Sequence, residues 1–207
     1  MEGKLMVATI FLIRHCETDA NVSQIPQGIR DVPLNNNGVQ QAKQLALWAG
    51  TQKIDRLLSS PSSRALDVAR KISEKIEIDI ETDERLYEFD QGIFDGMPIE
   101  QIRNEYPDFI QKWRNEDPSN LRMPRGETFS EVQQRMVEVC EEIASQNNGL
   151  NIAVISHNLA IKSALCFGLD VRLEEFRNMK IDLASYSIIS IEPSTWWRVE
   201  KMNIFAT

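Results

Sequence analysis

The feature that most constrains the fold is a nearly continuous apolar run, Leu5 to Ile13, which stops at Arg14 and His15. Because the run lacks alternation, it is typical of a strand buried on both faces of a sheet. Side chains that follow such a strand lie at the edge where open α/β sheets bind ligands. The run therefore predicts a site at Arg14 and His15, although a structural arginine and a satisfied turn histidine would give the same pattern.

Composition narrows the class of protein. With 207 residues, we predict one domain over 1–207 with a sizeable core. The formal net charge of -8 argues against nucleic acid or an anionic membrane as partner, but it leaves a small anionic substrate open. Three cysteines without C-x-x-C spacing do not indicate a disulfide framework or a zinc site. The apolar run is too short to cross a membrane, so we expect a cytoplasmic protein and leave a homodimer open.

Strands and helices alternate along the chain, as in an α/β sandwich with a mostly parallel sheet. A capping box at Thr128 and Glu131 predicts the start of a long helix that ends at Gly149. Residues 16–35 are predicted as a polar loop, and 98–113 as one or two short helices broken near Pro107. We further predict strands over 54–58, 76–80, 151–155, 186–191 and 197–202, the last two as a hairpin around Pro193, and helices over 37–49, 61–75 and 159–167.

Two further candidate site residues follow predicted strands. Arg64 falls in the first turn of the helix after the second strand, and His157 follows the fourth strand. The ends of parallel strands meet at one edge, so both groups should converge with Arg14 and His15. Guanidinium groups and helix N-termini bind phosphate, while neither a P-loop nor metal-ligand spacing occurs. The pattern indicates phosphoryl transfer, with a histidine nucleophile and arginines that neutralise charge.

Five short motifs now occur in order over most of the chain. They resemble those of the histidine phosphatase superfamily, the phosphoglycerate mutase-like group with an Arg-His-Gly signature. The resemblance implies a three-layer α/β/α sandwich and a phosphohistidine mechanism, without a metal or cofactor. The motifs are Arg14-His15-x-Glu17-Thr18, Ser59-Ser60-Pro61-x-x-Arg64-Ala65, Glu88 with Gly92 and Gly96, Gly126-Glu127-Thr128, and Ser156-His157.

The same resemblance implies roles for individual residues. His15 would be the nucleophile, and Glu88 would be the proton donor. The phosphate would be held by Arg14, Arg64 and His157, and further contacts to phosphate or substrate would come from Asn21, Gln27 and Gly28.

The chain departs from the family pattern at three positions. Asn158 replaces a small residue and would narrow the pocket or add a donor, and Asn35 stands where Ser or Thr is usual. Cys16 replaces the signature glycine, which tolerates backbone conformations that cysteine does not. If Cys16 faced the cationic groups of the site, its thiol pKa would fall and peroxide would inactivate the enzyme reversibly. The alternative is an inert Cys16 that points into the core.

We interpret the chain as a metal-independent phosphomonoesterase that hydrolyses a small phosphorylated metabolite. The stretch Asp182-x-Ala184-Ser185-Tyr186-Ser187 resembles phosphoserine phosphatases of the family, so phosphoserine is one candidate substrate. A cofactor-dependent phosphoglycerate mutase and a catalytically silent binding domain are the alternatives. The short spacing of Glu88, Gly92 and Gly96 favours the phosphatase branch. Residues 97–126 are expected to form a lid-like insertion over the phosphate site.

Overall fold

A computed structural model describes residues 7–147, 149–192 and 196–206. Three short 3-10 helices, Glu84–Leu86, Gly92–Phe94 and Leu173–Asn178, join the longer elements. The strands are β1 (Ala8–Arg14), β2 (Arg56–Ser59), β3 (Ile80–Thr82), β4 (Asn151–Ser156), β5 (Ser185–Ile191) and β6 (Trp197–Phe205). The helices are α1 (Asp19–Val22), α2 (Asn36–Ala49), α3 (Ser63–Ile76), α4 (Ile99–Glu105), α5 (Pro107–Asn115), α6 (Phe129–Gln146) and α7 (Asn158–Gly168).

The sheet has the strand order β3-β2-β4-β1-β5-β6. Strands β1 to β4 pair in parallel, whereas β5 runs antiparallel to both β1 and β6. In the register of β1 and β4, Arg14 lies opposite Ser156, and the His15 amide donates to the Ser156 carbonyl at 3.0 Å. The residues that follow these two strands, His15 and His157, are therefore neighbours at one edge of the sheet.

Apolar side chains pack on both faces of the sheet, as the alternation of a β-strand requires. From β1, Ile10 and Leu12 belong to a core with α6 and α7, while Phe11 and Ile13 belong to a second core with α2 and α3. Both faces of the strand are buried, which explains the apolar run. The mostly parallel sheet between two layers of helices confirms the predicted three-layer α/β/α sandwich.

The predicted strand over 76–80 is wrong. Helix α3 continues to Ile76 and ends at Glu77, whose left-handed φ of 59° stops it, and β3 covers only the three residues from Ile80. Ile76, Ile78 and Ile80 all pack against the core on the α2 and α3 side. The alternating apolar pattern therefore arises from a helix end, a linker and a short strand, which bury the same face in succession.

Other boundaries also differ from the predictions. Helix α3 begins after Ser62 rather than at Pro61, and the predicted loop over 16–35 contains α1. Helix α6 stops at Asn147, before Gly149, because the Asn147 side chain donates to the Ile143 carbonyl at 2.7 Å. The final antiparallel hairpin is confirmed, with β6 longer than predicted, but the Pro193 turn lies outside the described residues.

The segment 97–126 contains α4 and α5, as the break near Pro107 predicts. Aromatic rings join it to the rest of the chain: Trp113 lies 5.7 Å from Phe89 and 5.9 Å from Phe176 between ring centroids. Gly92 has a φ of +54°, and a Cβ there would lie 2.0 Å from the Pro124 carbonyl oxygen. Only glycine allows the chain just before the segment to approach Pro124, near the end of the segment, so closely. Among the described helices, none has the length and hydropathy needed to span a bilayer.

Candidate active site

Two buried histidines face each other at the edge where β1 and β4 end. The ring centroids of His15 and His157 lie 5.2 Å apart, and the residues are 3% and 0% exposed. The paired strands position both backbones, so the closeness of the two rings follows from the sheet register. The sequence prediction that these groups converge is thus met in the structure.

The hydrogen bonds of His15 define which nitrogen is free. Its Nδ1 lies 2.7 Å from the Cys16 carbonyl, which can only accept, so Nδ1 carries the proton. Nε2 makes no hydrogen bond to any described residue. Burial lowers the pKa of His15 well below its ordinary value, and the charges of Arg64 and Arg14 lower it further. His15 is therefore a neutral imidazole with an unused lone pair on Nε2.

Both nitrogens of His157 contact protein groups. Nδ1 accepts from Nε of Arg64 at 3.3 Å, and Nε2 therefore donates to the hydroxyl of Ser60 at 2.9 Å. Burial and the charge of Arg64 lower the pKa of His157 well below its ordinary value, so its ring is neutral as well. No local sequence pattern assigns a role to Ser60, although the residue belongs to the motif that begins at Ser59. It fixes the His157 ring.

Arg64 is wholly buried and connects the site to the loop after α1. Its guanidinium donates to the carbonyls of Gly28 at 2.8 Å and Arg30 at 2.9 Å, in addition to His157. Burial lowers its pKa, partly offset by the charge of Glu88. Most N–H groups of Arg64 donate to protein carbonyls. Arg64 therefore holds the loop after α1 in place and contributes positive charge to the site.

Arg14 keeps a free donor. Its Nη1 donates to the Ile181 carbonyl at 2.7 Å, whereas the buried Nε has no partner among the described residues. A buried N–H without an acceptor costs free energy, unless a ligand supplies one. Arg14 thus offers the site a positive charge and an unsatisfied donor.

Glu88 lies at the start of α7 and is 6% exposed. Its Oε1 accepts from the amides of Phe89 at 2.9 Å and of Leu159 and Ala160 at 3.1 Å. Oε2 accepts only from Leu159, at 3.1 Å. Oε1 accepts three hydrogen bonds and Oε2 shares only the Leu159 amide, so Oε2 is the oxygen with more remaining hydrogen-bond capacity.

An ion pair that no sequence pattern predicts holds the segment before Glu88 in place. The side chains of Arg135 and Glu127 form an ion pair at 2.8 Å, and Arg135 also donates to the carbonyls of Arg85, Tyr87 and Glu88. Glu127 belongs to a quoted motif, but no local pattern links it to Arg135. This pair is a positioning element for Glu88.

The predicted substrate contacts before α2 belong to one network. The Thr18 hydroxyl lies 3.0 Å from Oδ1 of Asn21 and 2.9 Å from Oε1 of Gln27. The Gly28 amide donates to Asp95 at 2.9 Å, and its carbonyl accepts from Arg64. Both backbone groups of Gly28 are therefore hydrogen-bonded within the protein. The side-chain oxygens of Asn21 and Gln27 accept within this network, while their NH2 groups have no acceptor among the described residues.

Asn35 and Asn158, the two asparagines that depart from the family pattern, have different surroundings. Asn35 caps α2 by accepting from the Gly38 amide at 2.9 Å, the function that Ser or Thr would serve. Asn158 begins α7 directly after His157 and is half-buried. Its position beside the histidine pair is consistent with the predicted contact, and its side chain makes no hydrogen bond within the described chain.

The hypothesis of a reactive Cys16 is wrong in its premise. Cys16 is fully buried in the core with α2 and α3, away from the charged groups, and burial raises its thiol pKa. Its φ is not positive, so cysteine replaces glycine here without strain. The structure supports the alternative of an inert thiol. Cys140 and Cys166 are buried free thiols as well, as predicted.

We expect peroxide to leave the activity of the wild-type protein unchanged, because only an accessible thiolate reacts readily. The measurement is residual activity after timed exposure to peroxide, with Cys16→Gly as the matched control. Inactivation of the wild type that a thiol reductant reverses, and that Cys16→Gly escapes, would restore the reactive-cysteine hypothesis.

The segment 97–126 borders a largely apolar cavity of about 340 Å³. None of the groups described above at the strand ends lines this cavity, whereas Pro26 and Gln91 do. Its apolar wall consists of Phe94, Ile99, Ile102, Phe109, Ile110, Trp113, Met123 and Phe176. Within 7–147, 149–192 and 196–206, no three His, Cys, Asp or Glu side chains cluster as metal ligands would.

Comparison with known proteins agrees with this fold. The sequence model of the histidine phosphatase superfamily (branch 1) matches residues 10–204. The chain therefore belongs to the histidine phosphatase superfamily, and we class it as a phosphatase.

Individual relatives cover nearly the whole chain. It is 31% identical to phosphoserine phosphatase 1 of Hydrogenobacter thermophilus, over 88% of this chain and 86% of that protein. It is 27% identical to a probable phosphoglycerate mutase of Yersinia pestis, over 92% and 90% of the two chains. The solved structure of YhfR from Bacillus stearothermophilus superposes with a TM-score of 0.86 at 28% identity, covering 94% of this chain and 96% of that one.

Proposed function

We propose that the protein is a metal-independent phosphomonoesterase that hydrolyses a small phosphorylated metabolite through a phosphohistidine on His15. The observation that carries this proposal is the state of His15. Its Nδ1 proton is fixed on the Cys16 carbonyl, so the lone pair of Nε2 is free beside two guanidinium groups. A neutral imidazole in a cationic setting is suited to attack a phosphate ester.

In the first step, Nε2 of His15 attacks phosphorus and the bond from phosphorus to the alcohol oxygen breaks. The leaving alkoxide takes a proton from Glu88, and Oε2 is the oxygen with capacity to carry it. Arg14 offers its unsatisfied Nε to a phosphoryl oxygen. Such donors and charges offset the negative charge that builds up in the transition state.

In the second step, water attacks the phosphoryl group and transfers a proton to the Glu88 carboxylate. The bond between phosphorus and Nε2 breaks, which releases inorganic phosphate and restores His15. One carboxyl group thus serves as acid and then as base. Arg64 and His157 support both steps. Arg64 contributes positive charge and can donate its remaining Nη1 hydrogen to a phosphoryl oxygen. His157, held by Ser60, lies beside the phosphate.

We further propose that 1–207 is one domain and that 97–126 acts as its lid. The apolar cavity beside α4 and α5 offers space for the alcohol part of a substrate. Phosphoserine is a candidate substrate, given the 31% identity to a phosphoserine phosphatase over most of both chains. We also propose the cytoplasm as location, consistent with three free cysteine thiols.

The second candidate function is a phosphoglycerate mutase, which the 27% identity to a probable mutase favours. Both reactions would use the same phosphohistidine, and they differ in whether water or a second hydroxyl group accepts the phosphoryl group. Only hydrolysis produces inorganic phosphate at each turnover.

Hydrolysis of phosphomonoesters in the presence of a chelator tests the proposal. We expect steady release of inorganic phosphate from an aryl phosphate and from phosphoserine, at rates that added magnesium does not raise. Given 3-phosphoglycerate and a 2,3-bisphosphoglycerate primer, the protein should form little 2-phosphoglycerate. Efficient isomerisation without phosphate release would favour the mutase, and the absence of both reactions would favour a silent binding domain.

A further inference from the structure

Lys162 is a cation near the site that the proposed mechanism does not use. It lies in α7, one helical turn after Asn158, and it is half-buried. Nζ makes no hydrogen bond or ion pair with any described residue; its polar surroundings consist of charges at a distance. A half-buried ammonium group without a hydrogen-bond acceptor or a carboxylate partner is costly and suited to bind an incoming anion.

Lys162 lies on the first turns of α7, the helix that begins directly after His157. Burial and the positive charge of Arg14 lower its pKa, while Glu88 and, from one turn along α7, Cys166 raise it. Arg14 and Glu88 are the groups expected to contact the phosphoryl group and its leaving alcohol. The charges of both groups therefore act on Lys162, which the proposed mechanism leaves without a role.

Lys162 also reaches the aromatic wall of the cavity. Its Nζ lies 5.9 Å from the ring centroid of Phe176, which lines the cavity. Phe176 contacts Trp113, and Trp113 stacks on Phe89, the residue after Glu88. Lys162 thus contacts a ring of the cavity wall, and that wall continues through Trp113 and Phe89 to Glu88.

The three arginines that line the cavity differ from Lys162 in their surroundings. Arg177 donates to the backbone carbonyls of Trp113, Glu116 and Glu174. Arg103 and Arg114 are exposed to solvent on α4 and α5. Lys162 is therefore the half-buried cation near the aromatic wall that has no hydrogen-bond acceptor among the described residues.

We propose that Lys162 binds a carboxylate on the alcohol part of the substrate, so that the protein prefers phosphate esters of hydroxy acids over those of uncharged alcohols. The inference rests on the proposed phosphatase function and extends it to a substrate class. A charged hydrogen bond to a partly buried carboxylate discriminates by about tenfold or more.

Two pairs of esters that differ at the carboxylate test the role of Lys162. Phosphoserine is compared with phosphoethanolamine, and 3-phosphoglycerate with glycerol 3-phosphate. We expect wild type to prefer the acid of each pair in kcat/KM, and Lys162→Met to lower this preference about tenfold or more, mainly through KM. Lys162→Arg keeps the charge and should recover part of the preference. Lys71→Met, which removes a half-exposed lysine paired with Glu74 on α3, should keep the wild-type ratio.

Two outcomes would overturn the inference. One is an equal loss of kcat/KM on both members of each pair in Lys162→Met, which would assign Lys162 to the phosphoryl group. The other is a wild type without preference for the acids. In either case phosphate release itself would leave the proposed function intact, whereas failure to hydrolyse any ester would contradict the proposed function instead.

Discussion

The variant His15→Ala will lose at least about 10³-fold in kcat, because removal of a covalent nucleophile leaves only binding and charge stabilisation. The neutral ring, with its proton on Nδ1, puts the reactive lone pair on Nε2. Alanine offers no group that can form the intermediate. The measurement is release of inorganic phosphate from an aryl ester and from phosphoserine.

Rapid quenching of the wild type during turnover should trap one acid-labile phosphate per chain, and His15→Ala should trap none. The low pKa of His15 predicts that this labelling does not decline as the pH falls from 7.5 to about 6.5, since the imidazole stays neutral. Circular dichroism and thermal unfolding of His15→Ala control for folding. Full activity of the variant, or an equal label on it, would exclude His15 as nucleophile.

The variant Glu88→Gln will slow turnover of alkyl phosphates by about 10²- to 10⁴-fold, the usual contribution of a general acid–base group. Glutamine keeps an oxygen to accept from the amides of Phe89, Leu159 and Ala160, so the start of α7 should stay capped. What is lost is the group that exchanges a proton. Both phosphorylation of His15 and hydrolysis of the phosphohistidine should become slower.

The leaving group gives the sharper test of Glu88. A nitrophenolate ion needs little protonation, so Glu88→Gln should slow phosphorylation by an aryl ester much less than phosphorylation by phosphoserine. With the aryl ester, the variant should then accumulate phosphohistidine, because the hydrolysis step still needs a base. Equal losses on both esters, without accumulation of phosphohistidine, would indicate that Glu88 only supports α7.

The sequence predicts the site well where the sheet determines it. The apolar run of β1 and the strand before His157 define a common edge, and the register between Arg14 and Ser156 brings the two histidines together. The positions that depend on side chains far apart in the chain were missed. Ser60 and His157 are separated by 97 residues and Arg135 and Glu88 by 47, so no local pattern connects either pair.

Cys16 shows why a neighbour in sequence is a poor guide to electrostatics. Cys16 directly follows His15, which suggested a shared cationic environment. Strand β1 ends at Arg14, and the backbone beyond it does not continue the alternation of the strand. Cys16 therefore lies in the core with α2 and α3, which also holds Ile13, while the His15 ring lies beside His157. The wrong prediction of a strand over 76–80 has a similar origin. An apolar residue at every second position is typical of a strand, but here the same pattern spans a helix end, a linker and the start of β3.

Gly92 brings the chain before α4 next to the chain after α5, because it allows an approach to Pro124 that a Cβ would block. The Ile93 amide, just before the segment 97–126, donates to the Pro124 carbonyl at 3.0 Å. The segment therefore leaves and rejoins the rest of the chain at nearly the same point, whereas the groups at the strand ends are positioned by the sheet register and by Arg64. An exchange of α4 and α5 between relatives would alter much of the wall of the apolar cavity, which none of those strand-end groups lines. In a family of proteins, such a layout lets the cavity wall vary while the strand ends keep their arrangement.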